Sequence, residues 1–185
     1  MEQTVEDLTS AGLKNLVRTI PDYPKPGIMF RDVTTLMRDG DGFRASIAAL
    51  AKPYVSARIN AVAGIEARGF VFGAAVAEKL GVGFIPIRKK GKLPWTTIGQ
   101  QYTLEYGVDT IEIHLDAVRT GERILIVDDL IATGGTAEAA VKLVTRIGGV
   151  IVGAAFVIDL PELGGVKLLA KHGVESHCLM AFDGH

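Results

Sequence analysis

At 185 residues the chain fits one domain, spanning 1–185, and is long enough to bury a substantial core. Apolar side chains make up 48%, and 20 Lys and Arg against 21 Asp and Glu leave a formal net charge of −1, which argues against nucleic acid or an acidic membrane as a general partner. No apolar run approaches the roughly 18 residues of a membrane helix, the acidic opening Met1-Glu2-Gln3-Thr4-Val5-Glu6-Asp7 is unlike a signal or transit peptide, and the single Cys178 suits a reducing cytoplasm.

In chain order, Leu13, Leu16, Val17 and Ile20 share one face of an amphipathic helix expected over 8–20, with Lys14 and Arg18 turned away. Pro21, Pro24 and Pro26 stop it, and Gly27-Ile28-Met29-Phe30-Arg31-Asp32 follows as an extended segment. A second helix is expected over 43–55. Residues 61–65 are a short apolar strand that ends in Glu66-Ala67-Arg68-Gly69, and 70–80 form the helix after it. A strand over 82–87 runs into the basic group Arg88-Lys89-Lys90-Gly91-Lys92, which opens a long polar stretch to about Tyr106. Stretches of that length without regular structure are usually lids or disordered. A strand over 124–127, a helix from Ala137, a strand over 150–158 and a short helix over 166–172 complete the pattern. Cys178 reads as a small core residue, and His177 beside it is too little for a metal site.

Apolar strands alternating with helices predict an α/β fold, a central, mostly parallel sheet covered on both faces. In such a sheet, ligands bind beyond the carboxyl ends of the strands. The residues after Ile65, Ile87 and Val127 all project to that rim, so Arg68, the run 88–92 and the turn after Val127 converge there.

That last turn carries the most chemistry. Ile124-Leu125-Ile126-Val127 reads as a buried strand closed by Asp128 and Asp129, and Leu130-Ile131-Ala132-Thr133-Gly134-Gly135-Thr136 leads into the helix. A helix N-terminus offers free backbone N–H groups to a phosphate. Gly134 and Gly135 permit close approach, and Thr133 and Thr136 add hydroxyls. The two carboxylates would repel phosphate and need sugar hydroxyls or a divalent metal. A phosphate with a neighbouring diol is a ribose 5-phosphate. Other phosphate motifs are excluded: Gly91-Lys92 is followed by Leu93 where a P-loop requires Ser or Thr, and Gly81-Val82-Gly83 continues into a strand where a dinucleotide fingerprint opens a helix.

Val127-Asp128-Asp129-Leu130-Ile131-Ala132-Thr133-Gly134-Gly135-Thr136 resembles the phosphoribosyl pyrophosphate motif of the type I phosphoribosyltransferases, and the likeness extends over about 23–165. It implies the fold of that family, with residues 1–35 as a helix and small N-terminal hood over a base site, and about 88–106 as a mobile catalytic loop. It implies a 5′-phosphate site at Ala132, Thr133, Gly134, Gly135 and Thr136, with Asp128 and Asp129 on the ribose hydroxyls as catalytic residues. Ala67, Arg68, Arg88, Lys89 and Lys92 would bind pyrophosphate.

Oxopurine-specific members resemble one another in an aspartate at the position of Ala132, serving as base toward purine N7. This chain instead has Glu105 in a Leu-Glu-Tyr-Gly setting, as adenine-specific members do. The resemblance therefore implies Glu105 as the catalytic proton carrier and adenine held by Phe30, by the backbone of Met29 and Arg31, and by Leu160. Adenine and phosphoribosyl pyrophosphate would be the substrates, AMP and pyrophosphate the products. Mg2+ would be held through substrate and water with no metal-ligand set of the protein's own. A cytoplasmic homodimer is expected, with Arg88 reaching the partner's site. The rivals are a phosphoribosyltransferase for another nucleobase and a purine-sensing regulator on the same fold, for which the roughly 25 residues before Gly27 are too few to form a DNA-binding domain.

Overall fold

The computed structural model describes residues 10–104 and 107–184. Helix α1 (Ser10–Asn15) precedes a two-stranded antiparallel ribbon, β1 (Arg18–Pro21) and β2 (Met29–Asp32), then α2 (Thr34–Arg38) and α3 (Gly40–Ala51). The body continues with β3 (Ala61–Ile65), α4 (Arg68–Leu80), β4 (Gly83–Lys89), β5 (Thr97–Leu104), β6 (Gly107–His114), β7 (Arg123–Ile131), α5 (Gly135–Arg146), β8 (Val150–Asp159), α6 (Gly165–Lys171) and β9 (Ser176–Ala181). Seven strands form one sheet in the order β5-β6-β4-β3-β7-β8-β9. Neighbours from β4 to β9 run parallel, and β6 joins β4 and β5 antiparallel.

Side chains alternate across this sheet, as a pleated strand requires. Ala63, Ile65, Ile124, Ile126 and Phe156 face the layer that holds Leu143 and Val144 of α5. Val62, Leu125, Val127 and Val157 face the layer of Leu50 of α3 and Phe72 and Val76 of α4. Cys178 packs partly buried against the first layer, and burial pushes its thiol up to about 12. A thiol that stays protonated is a packing group, in keeping with the sequence reading.

Two local expectations are corrected. The helix expected over 8–20 is a single short helix, α1, and Arg18–Pro21 is strand. Thr35 accounts for the change: its Oγ1 donates to the Leu16 carbonyl at 2.6 Å and accepts from the Arg18 N–H at 3.2 Å, taking groups a continuing helix would have used. Leu13 and Val17 remain buried, so the apolar spacing was real while the backbone between them turned. Within the stretch 88–106 read as loop, Thr97–Leu104 is strand β5, which forms an antiparallel arm with β6 just beyond it, paired from Thr97↔His114 to Leu104↔Gly107. Ile111 and Ile113 anchor the arm in the core, and Tyr102 is also buried. Trp95, on the turn that leads into the arm, is 82% exposed.

Candidate active site

The carboxyl ends of β3 and β7 meet at an open cleft of about 390 Å³. Close packing at glycine sets its floor. A Cβ on Gly73 of α4 would lie 3.3 Å from the Gly64 Cα of β3, and one on Gly69 would lie 2.5 Å from Asp128 Oδ1. The first turn of α4 thus rests directly on the acidic pair. Strand β7 continues through both acids to Ile131, pairing Asp128 with Phe156 and Ile131 with Asp159. The acids therefore lie inside the strand, two residues earlier than a strand end would put them.

Asp129 is buried and accepts from Arg68 Nε at 2.5 Å, and the Arg68 guanidinium also lies 5.4 Å from the centre of the Phe30 ring. One side chain thereby links the acidic pair to the β1–β2 ribbon. Asp128 Oδ1 accepts the Asp129 N–H at 2.8 Å. Burial, and then the Asp129 carboxylate beside it, raise the Asp128 carboxyl well above the usual carboxylate range. The folded chain holds that proton more tightly than the unfolded chain, so its contribution to stability is greatest below the ordinary carboxylate range and is lost as pH rises through the raised value. Asp128→Asn is accordingly expected to raise the melting temperature at neutral pH by a few degrees (about 2–4 °C per kcal/mol in a chain of this size) and to lower turnover. The gain should shrink in acid; melts at neutral and acidic pH check the sign.

On the β4 side, Glu66 receives Arg88 Nε at 2.7 Å and the Lys89 N–H at 2.8 Å. Arg88 also donates to the Lys92 carbonyl at 3.0 Å. Lys89 Nζ meets Asp109 at 3.2 Å, a contact that raises the lysine above its usual range. Tyr102, from the arm, hydrogen-bonds to Asp109 at 3.3 Å. The turn after β7 runs through Gly134, at φ 84°, into α5, which has no side-chain cap. Its first N–H groups are left for a ligand, as at any uncapped helix start.

The cleft gathers Ala67, Arg68, Lys89, Asp128, Asp129, Ala132, Thr133, Gly134, Gly135 and Thr136 of the residues named from sequence. Arg88 and Lys92 do not line it; the Arg88 guanidinium is held by Glu66 and the Lys92 carbonyl near the Phe70 ring, and the Lys92 N–H donates to the Lys89 carbonyl. Met29, Phe30 and Arg31 lie on β2, beside the cleft through the contact of Phe30 with Arg68. The Arg31 side chain is engaged away from it, donating to Thr19 Oγ1 at 2.6 Å and to the Asp183 carbonyl at 2.9 Å over the Phe182 ring. Leu160 is 8% exposed at the end of β8. Glu105 lies outside the described residues. Beside apolar lining residues, two polar ones escaped the sequence reading: Glu66, whose signal was its place beside Arg68 ahead of a basic run, and Tyr102, which needed the arm to be seen as a strand.

The fold and this strand–turn–helix define a phosphoribosyl transferase: the family described as Phosphoribosyl transferase domain matches residues 38–176. The chain is 60% identical over 173 residues to the adenine phosphoribosyltransferase of Parvibaculum lavamentivorans, covering 94% of this chain and 99% of that one, and 61% identical to the one from Methylobacterium radiotolerans, covering 94% and 96%. The crystal structure of the Rhodothermus marinus adenine phosphoribosyltransferase superposes with a TM-score of 0.89 at 49% identity, covering 94% of this chain and 98% of that one. The Saccharomyces cerevisiae enzyme, complexed with adenine and an imino-altritol bisphosphate, gives 0.86 at 36% identity, covering 92% and 98%. The chain belongs to the type I phosphoribosyltransferase family, in its adenine phosphoribosyltransferase branch.

Proposed function

We propose that this protein transfers the phosphoribosyl group of phosphoribosyl pyrophosphate to N9 of adenine, forming AMP and pyrophosphate for purine salvage. The observation that carries the reading is the meeting, in one cleft, of a phosphate-suited helix start, an acidic pair and the Arg68 guanidinium.

As the C1–O bond to pyrophosphate breaks, positive charge develops on the ribose ring. Asp128 and Asp129 hold the 2′ and 3′ hydroxyls and oppose that charge. The amides and hydroxyls of 132–136 hold the 5′-phosphate. Arg68, the Ala67 amide and Lys89 receive the leaving pyrophosphate, with Arg88 and Lys92 reaching it from beside the cleft or from a partner subunit. Phe30 stacks on adenine, the backbone of Met29 and Arg31 reads its edge, Leu160 covers the other face, and Glu105 handles the N7 proton while N9 bonds to C1. The arm that carries Tyr102 keeps water from the activated sugar.

Among the described residues no group of three or more His, Cys, Asp or Glu could hold a metal ion. A cation would instead arrive with the substrate, held through the pyrophosphate oxygens and water. Mg2+ bound in this way would neutralise the charge gathering on the pyrophosphate oxygens. No helix among the described residues is long and apolar enough to cross a membrane. A cytoplasmic homodimer completes the reading.

A panel of nucleobases with phosphoribosyl pyrophosphate and Mg2+ tests it. Adenine is expected to exceed hypoxanthine by about 10³ or more in kcat/KM. Hypoxanthine presents an oxo group and an N1–H where adenine has an amino group and a bare N1, which reverses two hydrogen bonds in a closed pocket. Comparable turnover of the two bases would overturn the adenine assignment and leave the phosphoribosyl half standing.

A further inference from the structure

The turn 132–136 does not hold its own shape. After β8 the chain leaves and returns within six residues, and both ends of that excursion bond to the end of β7: the Leu160 N–H donates to the Ile131 carbonyl at 3.0 Å, and the Gly165 N–H donates to the Ala132 carbonyl at 2.9 Å. Gly165, the first residue of α6, is in backbone contact with the turn. A Cβ there would strike the Ala132 carbonyl oxygen and lie 2.6 Å from Ile131 Cγ1 and 2.9 Å from the Gly134 nitrogen. The contact is mutual, since a Cβ on Gly134 would lie 2.8 Å from the Gly165 Cα. Just past the far end of α6, His172 Nε2 meets Glu138 Oε1 of α5 at 2.6 Å, and the Glu138 N–H donates to the Gly134 carbonyl at 2.8 Å. The segment thus touches the turn at its start and the helix it opens at its finish.

We propose that Gly165 is a positioning residue for the 5′-phosphate: by lacking a side chain and donating to Ala132, it sets the curvature of 132–136 and so the aim of the first N–H groups of α5. The proposal rests on the reading of 132–136 as the phosphate site. Hydrogen bonds to a charged phosphate depend steeply on donor placement, so a displacement of the order of 1 Å is costly. Glycine at 165 is demanded by space, whereas Gly164 beside it has φ 78° and nothing within 4 Å of an added Cβ. Gly164→Ala is therefore a control for backbone strain alone.

The test compares AMP with adenosine, which lacks the phosphate, by calorimetry. Gly165→Ala is expected to weaken AMP, and to raise KM for phosphoribosyl pyrophosphate, by about tenfold or more, with adenosine affinity and KM for adenine changed by less than about twofold. Gly164→Ala should lower the melting temperature without that selective loss. Wild-type AMP affinity in Gly165→Ala, an equal loss for AMP and adenosine, or the same selective loss in Gly164→Ala would overturn the proposal. Should Gly165→Ala not fold, the wild-type protein supplies the answer: exchange of the Gly165 amide should slow on binding AMP and not on binding adenosine, and no change with AMP would overturn it. Thr133→Glu separates the two readings. If it leaves AMP affinity intact, the phosphate-site assignment fails; if it abolishes AMP binding while Gly165→Ala does not weaken it, only the role of Gly165 fails.

Discussion

Thr133→Glu is expected to abolish measurable binding of AMP and of phosphoribosyl pyrophosphate while the protein stays folded. Thr133 is exposed at the mouth of the cleft, so a longer side chain meets no core. A carboxylate there lies close to the start of α5, where the helix dipole favours it by about 0.3–1 kcal/mol. The substituted protein should melt no lower than the original. The same favourable placement ruins the site, because the carboxylate takes the N–H groups a phosphate needs and repels its charge. Two unit charges about 4 Å apart at a protein surface cost on the order of 4 kcal/mol, enough for a loss of about 10²-fold or more. Calorimetry with AMP and adenosine, beside a thermal melt, checks both halves. A folded Thr133→Glu protein with wild-type AMP affinity would remove the phosphate assignment.

Glu105→Gln is expected to lower kcat by about 10² to 10⁴, the usual contribution of a positioned acid or base. The amide keeps the size of the side chain and cannot accept the proton. Because the glutamate is assigned to the base, affinity for phosphoribosyl pyrophosphate should change little. Single-turnover kinetics separate the outcomes. Near-normal turnover eliminates Glu105 as the proton carrier, and loss of sugar-phosphate binding would point to a structural role for the arm.

What could be read from residues alone was what depends on near neighbours. The buried strands announce themselves by apolar runs, and the strand–turn–helix at 124–144 combines an apolar run, an acidic pair, two glycines and a helical pattern within one short segment. The elements that escaped depend on distant partners. No local feature of Arg18 tells that Thr35 will take its N–H, and the helix there was overextended for that reason. Strand β5 escaped because its inward residues Ile98 and Tyr102 are separated by polar outward ones, so it resembled part of a loop, and the same alternation around Ile111 and Ile113 hid β6. Arg68 and Asp129 could be named individually, but their ion pair is a product of the sheet order that brings β3 beside β7. No local feature of the sequence marks Gly165, whose contact with Gly134 appears only when the two backbones are seen together.

Trp95 is the sole tryptophan of the chain and lies almost fully in water on the turn leading into the arm. The protein therefore carries its own optical label, confined to one turn beside the arm. With no indole in the core, emission excited at the red edge of tyrosine absorption reports only that turn, and begins at the long wavelengths of a hydrated ring. A shift to shorter wavelength during an AMP titration at fixed protein concentration would record the turn being covered as ligand binds. The same shift on raising protein concentration without ligand would record its burial against a second copy. Covering of the turn by ligand binding and covering by self-association can thus be told apart in a cuvette, with no residue changed and no dye attached.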